Sequence, residues 1–340
     1  MNTTTSLPSR VEKFYVRTLL KRALPFLCHR NWAQHKPMKK NSGKQINFTR
    51  FASLGLATTA LTEGVTPEGQ DLSQSTITAT LKQYGGWVPV TDVVTLTNFD
   101  PALTEAIELL GEQKGQTVDV LMRDTMLAGT NVWYAGAVSS QDSIITGPSE
   151  ADLRGIVRFL KNANAKRITR MINPSTGVGT VPIPPCFIAI CDTDASDDFE
   201  QLSNFTRVEE YASQKGVMEN EIGKIGIVRF VETTLGKVES AAGDAVGSSG
   251  LIAADDTNVD VYKTPIFGAE AYGESPLNAG TVGVIVKSHV KNDTSDTSDP
   301  LNQRSTAGWK VMWAGEILND DHIVRYEHGV NELGAMSESA

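Results

Sequence analysis

From Thr76 to Asp92 the chain reads TITATLKQYGGWVPVTD, alternating apolar and polar residues as a half-buried strand does. The alternation changes phase along the way: Ile77, Ala79 and Leu81 occupy odd positions, Val88 and Val90 even ones. A two-residue period sends alternate side chains to opposite faces, so a phase change moves the apolar set from one surface to another. Gly85 and Gly86 lie between the two phases, which fits a bulge that twists the strand. A kinked edge strand inside a compact sheet is the alternative.

Upstream, Ile46 and Phe48 alternate in a second strand, and LTEGVTPEGQDLSQ between the two is a glycine- and proline-punctuated tip. Residues 44–92 therefore read as a long two-stranded excursion. An isolated ribbon of that kind is marginal in water and needs another surface to lie on.

Helical spacing governs two further stretches. In DPALTEAIELLGEQKGQTVDVLMRDTMLAGTN, Asp100 is placed to cap, Pro101 fits the first helical position, and Leu103, Ile107, Leu110, Val118 and Leu121 keep one face. A helix over 100–128 is predicted, stopping at Gly129. Gly111 and Gly115 each cost about 1 kcal/mol against alanine and point to close approach of a crossing element. Ser149 and Asp152 open a second helix running to Ala163. Arg10 to Leu24 is a short amphipathic helix ended by Pro25.

The rest reads as α+β. Strands are expected at 167–172, CFIAI, IGIVRFVETT and Thr281–His289, with a helix from Asp198 to Gln214 and a closing hairpin of Trp309–Leu318 with Ile323–His328. Residues 235–258, rich in Gly, Ala and Ser, read as a mobile loop, and KNDTSDTSDPLNQR as a polar connection.

Charge changes the picture. Residues 1–50 hold eleven Lys or Arg against one acid, Glu12, a net of +10; the whole chain is −9, so residues 51–340 carry −19. A basic arm on an acidic body suits nucleic acid or a complementary acidic surface, including that of another copy. The arm's apolar residues, among them Phe14, Leu19, Leu20, Phe26 and Trp32, ask for a docking surface.

The sequence carries no recognised catalytic or metal-binding signature. The five histidines form no zinc-spaced set, and the run Asp192 to Asp198 lacks the glycine and terminal glutamate of a calcium loop, so it reads as a helix cap. No phosphate-binding loop, nucleophile elbow or dinucleotide fingerprint occurs. No enzyme activity, cofactor or metal is expected. Three cysteines at irregular spacing fit reduced thiols, as in a cytosolic compartment. No stretch of eighteen or more apolar residues is present, and Lys21, Arg22 and Pro25 interrupt the N-terminal apolar patch, so neither a membrane span nor a secretory leader is expected.

LTEGVTPEGQDLSQSTITATLKQYGGWVPVTDVV followed by DPALTEAIELLGEQKGQTVDVLMRDTMLAGTN closely resembles the major capsid proteins of tailed bacteriophages, nearest the Schitoviridae-type podovirus and prophage branch. EIGKIGIVRFVETT, VYKTPIFGAEAYG and SDPLNQRSTAGWKVMWAGEILNDDHIVRYE match in the same order, so that the likeness covers roughly residues 37–330. The resemblance implies the α+β Hong Kong 97 capsid fold. It would place an N-terminal basic arm at 1–36, an extended β-hairpin loop at 37–92, a peripheral domain at 93–149 and 291–340 with a spine helix at 100–128, and an axial domain at 150–290.

What the resemblance implies for function is a structural subunit. Copies would assemble into pentamers and hexamers of an icosahedral head enclosing double-stranded DNA, with at most nonspecific contact to that DNA. Separate scaffolding, portal and decoration proteins would join it, in a virion assembled in the bacterial cytoplasm. Candidate inter-subunit residues are Arg10, Arg17, Lys21, Arg22, Lys39, Lys40 and Lys44 by charge, and Ile77, Leu81, Gly85, Gly86 and Trp87 on the strand leading back to the body. An encapsulin-like compartment shell and a nucleic-acid-binding protein acting through the basic arm are the other readings. The basic arm predicts salt-sensitive assembly.

Overall fold

A computed structural model describes residues 28–39, 43–61, 63–66, 69–91, 102–172, 180–211, 216–247, 249–255, 257–278 and 304–332. The helix expected over Arg10–Leu24, the cap at Asp100 and the strand at Thr281–His289 lie outside them. In chain order come β1 (Gln34–His35), β2 (Met38–Lys39), β3 (Gln45–Phe51), β4 (Gln74–Thr80) and β5 (Lys82–Thr91). The long helix α1 (Ala102–Leu127) follows, then β6 (Val132–Tyr134), α2 (Glu150–Asn162), β7 (Ile168–Ile172), β8 (Thr180–Asp192), α3 (Thr193–Glu200) and β9 (Phe205–Arg207). The remaining strands are β10 (Glu221–Ile225), β11 (Val228–Thr233), β12 (Lys237–Glu239), β13 (Val261–Phe267), β14 (Tyr272–Asn278), β15 (Arg304–Ile317) and β16 (Ile323–His328).

Among the described residues these strands form three sheets. One has five strands, in the order β1-β14-β15-β5 with β2 also on β14; the second has nine, β6-β16-β13-β8-β11-β10-β9 with β12 on β13 and β7 on β8; the third is the β3–β4 ribbon. In the five-stranded sheet, Ala307, Trp309, Val311 and Trp313 are buried on one face of β15 and share a core with Ile107, Leu110, Val118, Met122 and Met126 of α1. Each fully buried large side chain contributes about 1.5–3 kcal/mol. Five of them outweigh the roughly 1 kcal/mol that each of Gly111 and Gly115 costs the helix. Both glycines are buried.

The run CFIAIC is apolar without alternation because both faces of β8 are covered. Ile188 and Ile190 belong to the core shared with α1, while Phe187, Ala189 and Cys191 pack on the other side with Leu153, Ile156 and Leu160 of α2 and with Phe199 of α3. Burial pushes the Cys186 thiol up to about 11 and raises Cys191 further, so both thiols stay protonated and structural.

Several sequence expectations are met. α2 begins as predicted, with Ser149 Oγ accepting from the Asp152 amide at 3.2 Å. The Asp192 run does cap a helix, Asp192 Oδ1 accepting from the Asp194 amide at 3.1 Å.

Others are corrected. The helix expected over Asp198–Gln214 is instead α3, which starts earlier and ends at Glu200, because β9 must leave it to pair with β10. Trp309–Leu318 and Ile323–His328 do not form a hairpin: β15 pairs with β14 and β5, whereas β16 crosses to β13 and β6 in the other sheet. Residues 235–258 hold β12 and a framework of backbone bonds, including Gly243 N to Val259 O at 2.9 Å and Val246 N to Thr257 O at 2.9 Å. Gly85 and Gly86 form no bulge, since β5 pairs with β15 from Lys82↔Trp313 to Thr91↔Arg304 in unbroken register.

The two glycines are needed for close approach. A Cβ on Gly85 would stand 2.6 Å from the Trp309 carbonyl oxygen, and one on Gly86 would stand 2.6 Å from Gln113 Oε1 of α1. Gln113 is held there by the indole N–H of Trp309 at 2.9 Å.

One buried histidine makes the fold acid-sensitive. His328 is fully enclosed, its Nδ1 donating to the Gly329 carbonyl at 2.9 Å and its Nε2 facing the Thr264 hydroxyl at 3.0 Å. Burial pushes its pKa from 6.5 down to about 4, outweighing the Gly329 carbonyl and the carboxylates of Asp198 and Asp152. The unfolded chain takes up this proton below about pH 6.5 and the folded chain only near pH 4, so stability falls as pH drops through that window. At about 1.4 kcal/mol per unit, the loss approaches about 3 kcal/mol. Urea midpoints measured between pH 7 and pH 4 should fall accordingly, and the His328→Gln variant should flatten that slope; an unchanged slope would refute the assignment.

Candidate assembly interface

The ribbon is built from β3 and β4 in antiparallel register from Gln45↔Thr80 to Phe51↔Gln74, and the Leu81 amide donates to the Lys44 carbonyl at 2.8 Å at its root. One face lies on the chain's own body: Phe48, Ala79 and Leu81 are buried with Met38 and Ala314, and Ile46 and Ile77 pack beside Leu277 and Leu318. Arg50 donates to Asn319 Oδ1 at 2.6 Å, and Lys36 Nζ stands 5.6 Å from the centre of the Phe48 ring. Leu81, expected at a neighbour, is thus 6% exposed inside its own chain, and Ile77 is half-buried there. The phase change falls at Leu81–Lys82, ahead of the glycines. The strand there leaves β3 as partner and takes β15, so its apolar set must turn from the ribbon's floor to the helix.

Beyond Phe51, no described residue provides a floor. Every described residue from 51 to 73 is exposed, including Leu54, Leu56 (89%), Leu61 (76%), Val65 and Leu72. No Lys or Arg occurs between Arg50 and Lys82, whereas Glu63, Glu68 and Asp71 do, making the tip an apolar strap with acidic charge only. So many large apolar residues in one segment mark an interaction surface. A second exposed spot lies on the five-stranded sheet, on the face away from α1, where Trp87 is 66% exposed. Gly85 and Gly86 are taken up by contacts within the chain, as described. Lys39 and Lys44 are exposed near the ribbon's root, and Arg10, Arg17, Lys21, Arg22 and Lys40 lie outside the described residues.

The end of the expected arm is part of the body. β1 runs parallel to β14 through Gln34↔Gly273 and His35↔Glu274, and β2 continues through Met38↔Leu277. Beneath them Glu274, fully buried, accepts from Arg30 Nε at 2.6 Å and from a second Arg30 nitrogen, from His35 Nδ1 at 2.7 Å, and from the Trp313 indole at 3.0 Å. Burial pushes this carboxyl up, but the His35 and Arg30 hydrogen bonds outweigh it and hold the pKa at about 2. His29 adds a second anchor, its amide and Nδ1 reaching the buried Asp119 at 2.8 and 2.6 Å.

No sequence pattern flagged Glu274 or Asp119, which lie 244 and 90 residues from their partners. The available signal was an acid at an inward position, on strand β14 for Glu274 and on helix α1 for Asp119. Sheet membership also cuts across the expected division. β14, from 150–290, lies in the sheet carrying α1, and β6 and β16, from the flanking segments, lie in the other.

Among the described residues no group of His, Cys, Asp or Glu is placed to hold a metal, and no helix is long and apolar enough to cross a membrane. A family model described as phage capsid protein matches residues 74–325. The chain belongs to the phage capsid protein family.

This capsid protein matches solved phage shells along most of its length. The capsid of Ralstonia phage GP4 aligns at TM-score 0.66 with 11% identity, over 89% of this chain and 88% of that one. The head of Helicobacter pylori bacteriophage KHP40 gives 0.61 and 13%, over 87% of each chain, and the cyanophage Pam1 capsid 0.58 and 12%, over 92% and 93%. At such identities the likeness concerns the fold, which is the Hong Kong 97 capsid fold. The SrpI encapsulin of Synechococcus elongatus, at TM-score 0.52 and 12% identity over 94% of this chain and 92% of that one, shares the fold only. No curated protein matches. Family membership decides among the three functional readings: the chain is a structural major capsid protein that assembles with copies of itself into a virion shell.

Proposed function

We propose that each capsid subunit is completed by its neighbour through the ribbon tip. The carrying observation is the strap between Ala52 and Ser73, apolar and acidic in sequence, whose described residues are all exposed. In this reading the five-stranded sheet with α1 is the peripheral domain and the nine-stranded sheet the axial domain. Lys39, Lys44 and Trp87 sit at the contact, with Arg10, Arg17, Lys21, Arg22 and Lys40 supplying positive charge to acidic surface on adjacent copies. The protein acts without catalysis, in the host cytoplasm, with separate scaffolding, portal and decoration proteins.

Electron microscopy of the purified protein at low and high salt, beside a variant lacking residues 1–27, tests the charge part. Rings and shells that diminish with salt or with arm removal are the expected result, because screening shortens to a Debye length of about 3 Å at 1 M salt. Assembly indifferent to both would exclude the arm as a clasp.

A further inference from the structure

We infer that a basic apolar groove at one end of the nine-stranded sheet receives an acidic lobe from the opposite end of the same sheet in a second copy. The groove, of about 650 Å³, runs between α2 and the β10–β11 turn at Gly226. Leu153, Val157, Ile225 and Ile227 give it apolar walls. Arg154, Arg158 and Lys161 edge it from one face of α2, as spacings of four and three residues require. Arg154 is paired with Glu150, which also accepts from Ser203 and Asn204 at 3.1 and 2.6 Å. Arg158 and Lys161 are exposed and make no ion pair among the described residues.

The lobe has the complementary character. Between Lys237 and Lys263 the chain contains no Lys or Arg, and Asp244 and Asp255 are exposed. The Asp244 amide donates to the Ile144 carbonyl at 3.0 Å, which brings the exposed Asp142 and Ile145 alongside. Ile145 is 41% exposed, an apolar knob with Asp142 and Asp244 on the same lobe.

Strand register sets the two patches apart. β11 starts at Val228 beside Phe187, next to the groove, and finishes at Thr233 beside Asp192; β12 and β13 then meet at Glu239↔Val261 at the lobe end. Two different patches that fit each other make a heterologous contact, which gives a ring where the repeated rotation closes and a filament where it does not. The charges face with opposite sign, which favours this register over others.

The inference rests on the self-assembly described above, and the ribbon tip, also acidic and apolar, is the rival occupant. A charge-reversal cycle in the full chain separates them, read by sedimentation velocity and electron microscopy at low salt, with thermal midpoints confirming folding. Arg158→Glu with Lys161→Glu, or Asp142→Lys with Asp244→Lys, should each raise the concentration for half-assembly about ten-fold or more. Combining the two pairs should bring it back to within about three-fold of the unaltered chain. Milder neutral variants, Arg158→Gln with Lys161→Gln, should shift it less. No effect of the groove reversal, failure of the lobe reversal to restore it, or restoration by Glu63→Lys with Asp71→Lys instead would each overturn the inference. The unaltered chain run alongside reports separately on self-assembly itself.

Discussion

Replacing residues 52–73 with an Asn-Gly turn is expected to abolish shell formation while leaving the fold intact. Phe51 and Gln74 are already a cross-strand pair, so a two-residue turn closes the ribbon without moving either strand. The described residues removed are all exposed, so the core loses nothing. Shortening the loop even lowers the entropy lost on folding by about 1–2 kcal/mol. Association loses far more. Leu54, Leu56, Leu61, Val65 and Leu72 would each gain about 1.5–3 kcal/mol on full burial, together on the order of 10 kcal/mol per copy. That matches the estimated 4–15 kcal/mol lost on immobilising a partner. Circular dichroism and thermal midpoints should resemble those of the parent chain while electron microscopy finds no shells. Shells forming at the parent's concentration would show that the tip is not the clasp.

Glu274→Ala is the second large effect, and it acts on stability. The carboxylate removed is fully buried and holds Arg30, which is itself 9% exposed. Breaking such a pair from one side leaves an uncompensated charge and costs about 3–5 kcal/mol. The β1–β14 contact should loosen with it, so limited proteolysis should cut within residues 28–39. Replacing both partners, Arg30→Met with Glu274→Leu, should recover the part due to the stranded Arg30 charge, while the buried Trp313 indole N–H stays without its acceptor and keeps about 1–3 kcal/mol of the loss. A single variant unfolding at the parent's denaturant midpoint would refute the anchor. Because the folded pKa of Glu274 is about 2 against an ordinary 4.5, its contribution is complete above pH 4.5 and is lost as pH falls toward 2. His328 loses its share at higher pH, between about 6.5 and 4, so acid should weaken the fold in two stages.

Local pattern carried some of this architecture. The α1 helix was legible because Ile107, Leu110, Val118 and Leu121 keep one face over many turns, and the α2 cap because Ser149 and Asp152 bond within one turn. The ribbon was legible because alternation flanks a tip with turn residues. Of the candidate contact residues, Trp87, Lys39 and Lys44 are where a neighbour could reach them, whereas Leu81 is enclosed by its own chain. Alternation identifies an inward face without saying whose body lies beneath it.

By itself, then, the sequence determined the α1 and α2 helices, the ribbon, the split between a basic N-terminal segment and an acidic remainder, and, through matched segments in order, the capsid family. Each of these is written in spacing, composition or order along the chain. The tertiary structure alone decided that β15 and β16 part into different sheets, that Gly85 and Gly86 serve helix and strand contact, and that Glu274 and Asp119 anchor the N-terminal segment. Those outcomes depend on partners up to 244 residues apart, brought together only when the sheets close. Backbone pairing and burial choose such partners by fit in space, and no local period records that choice.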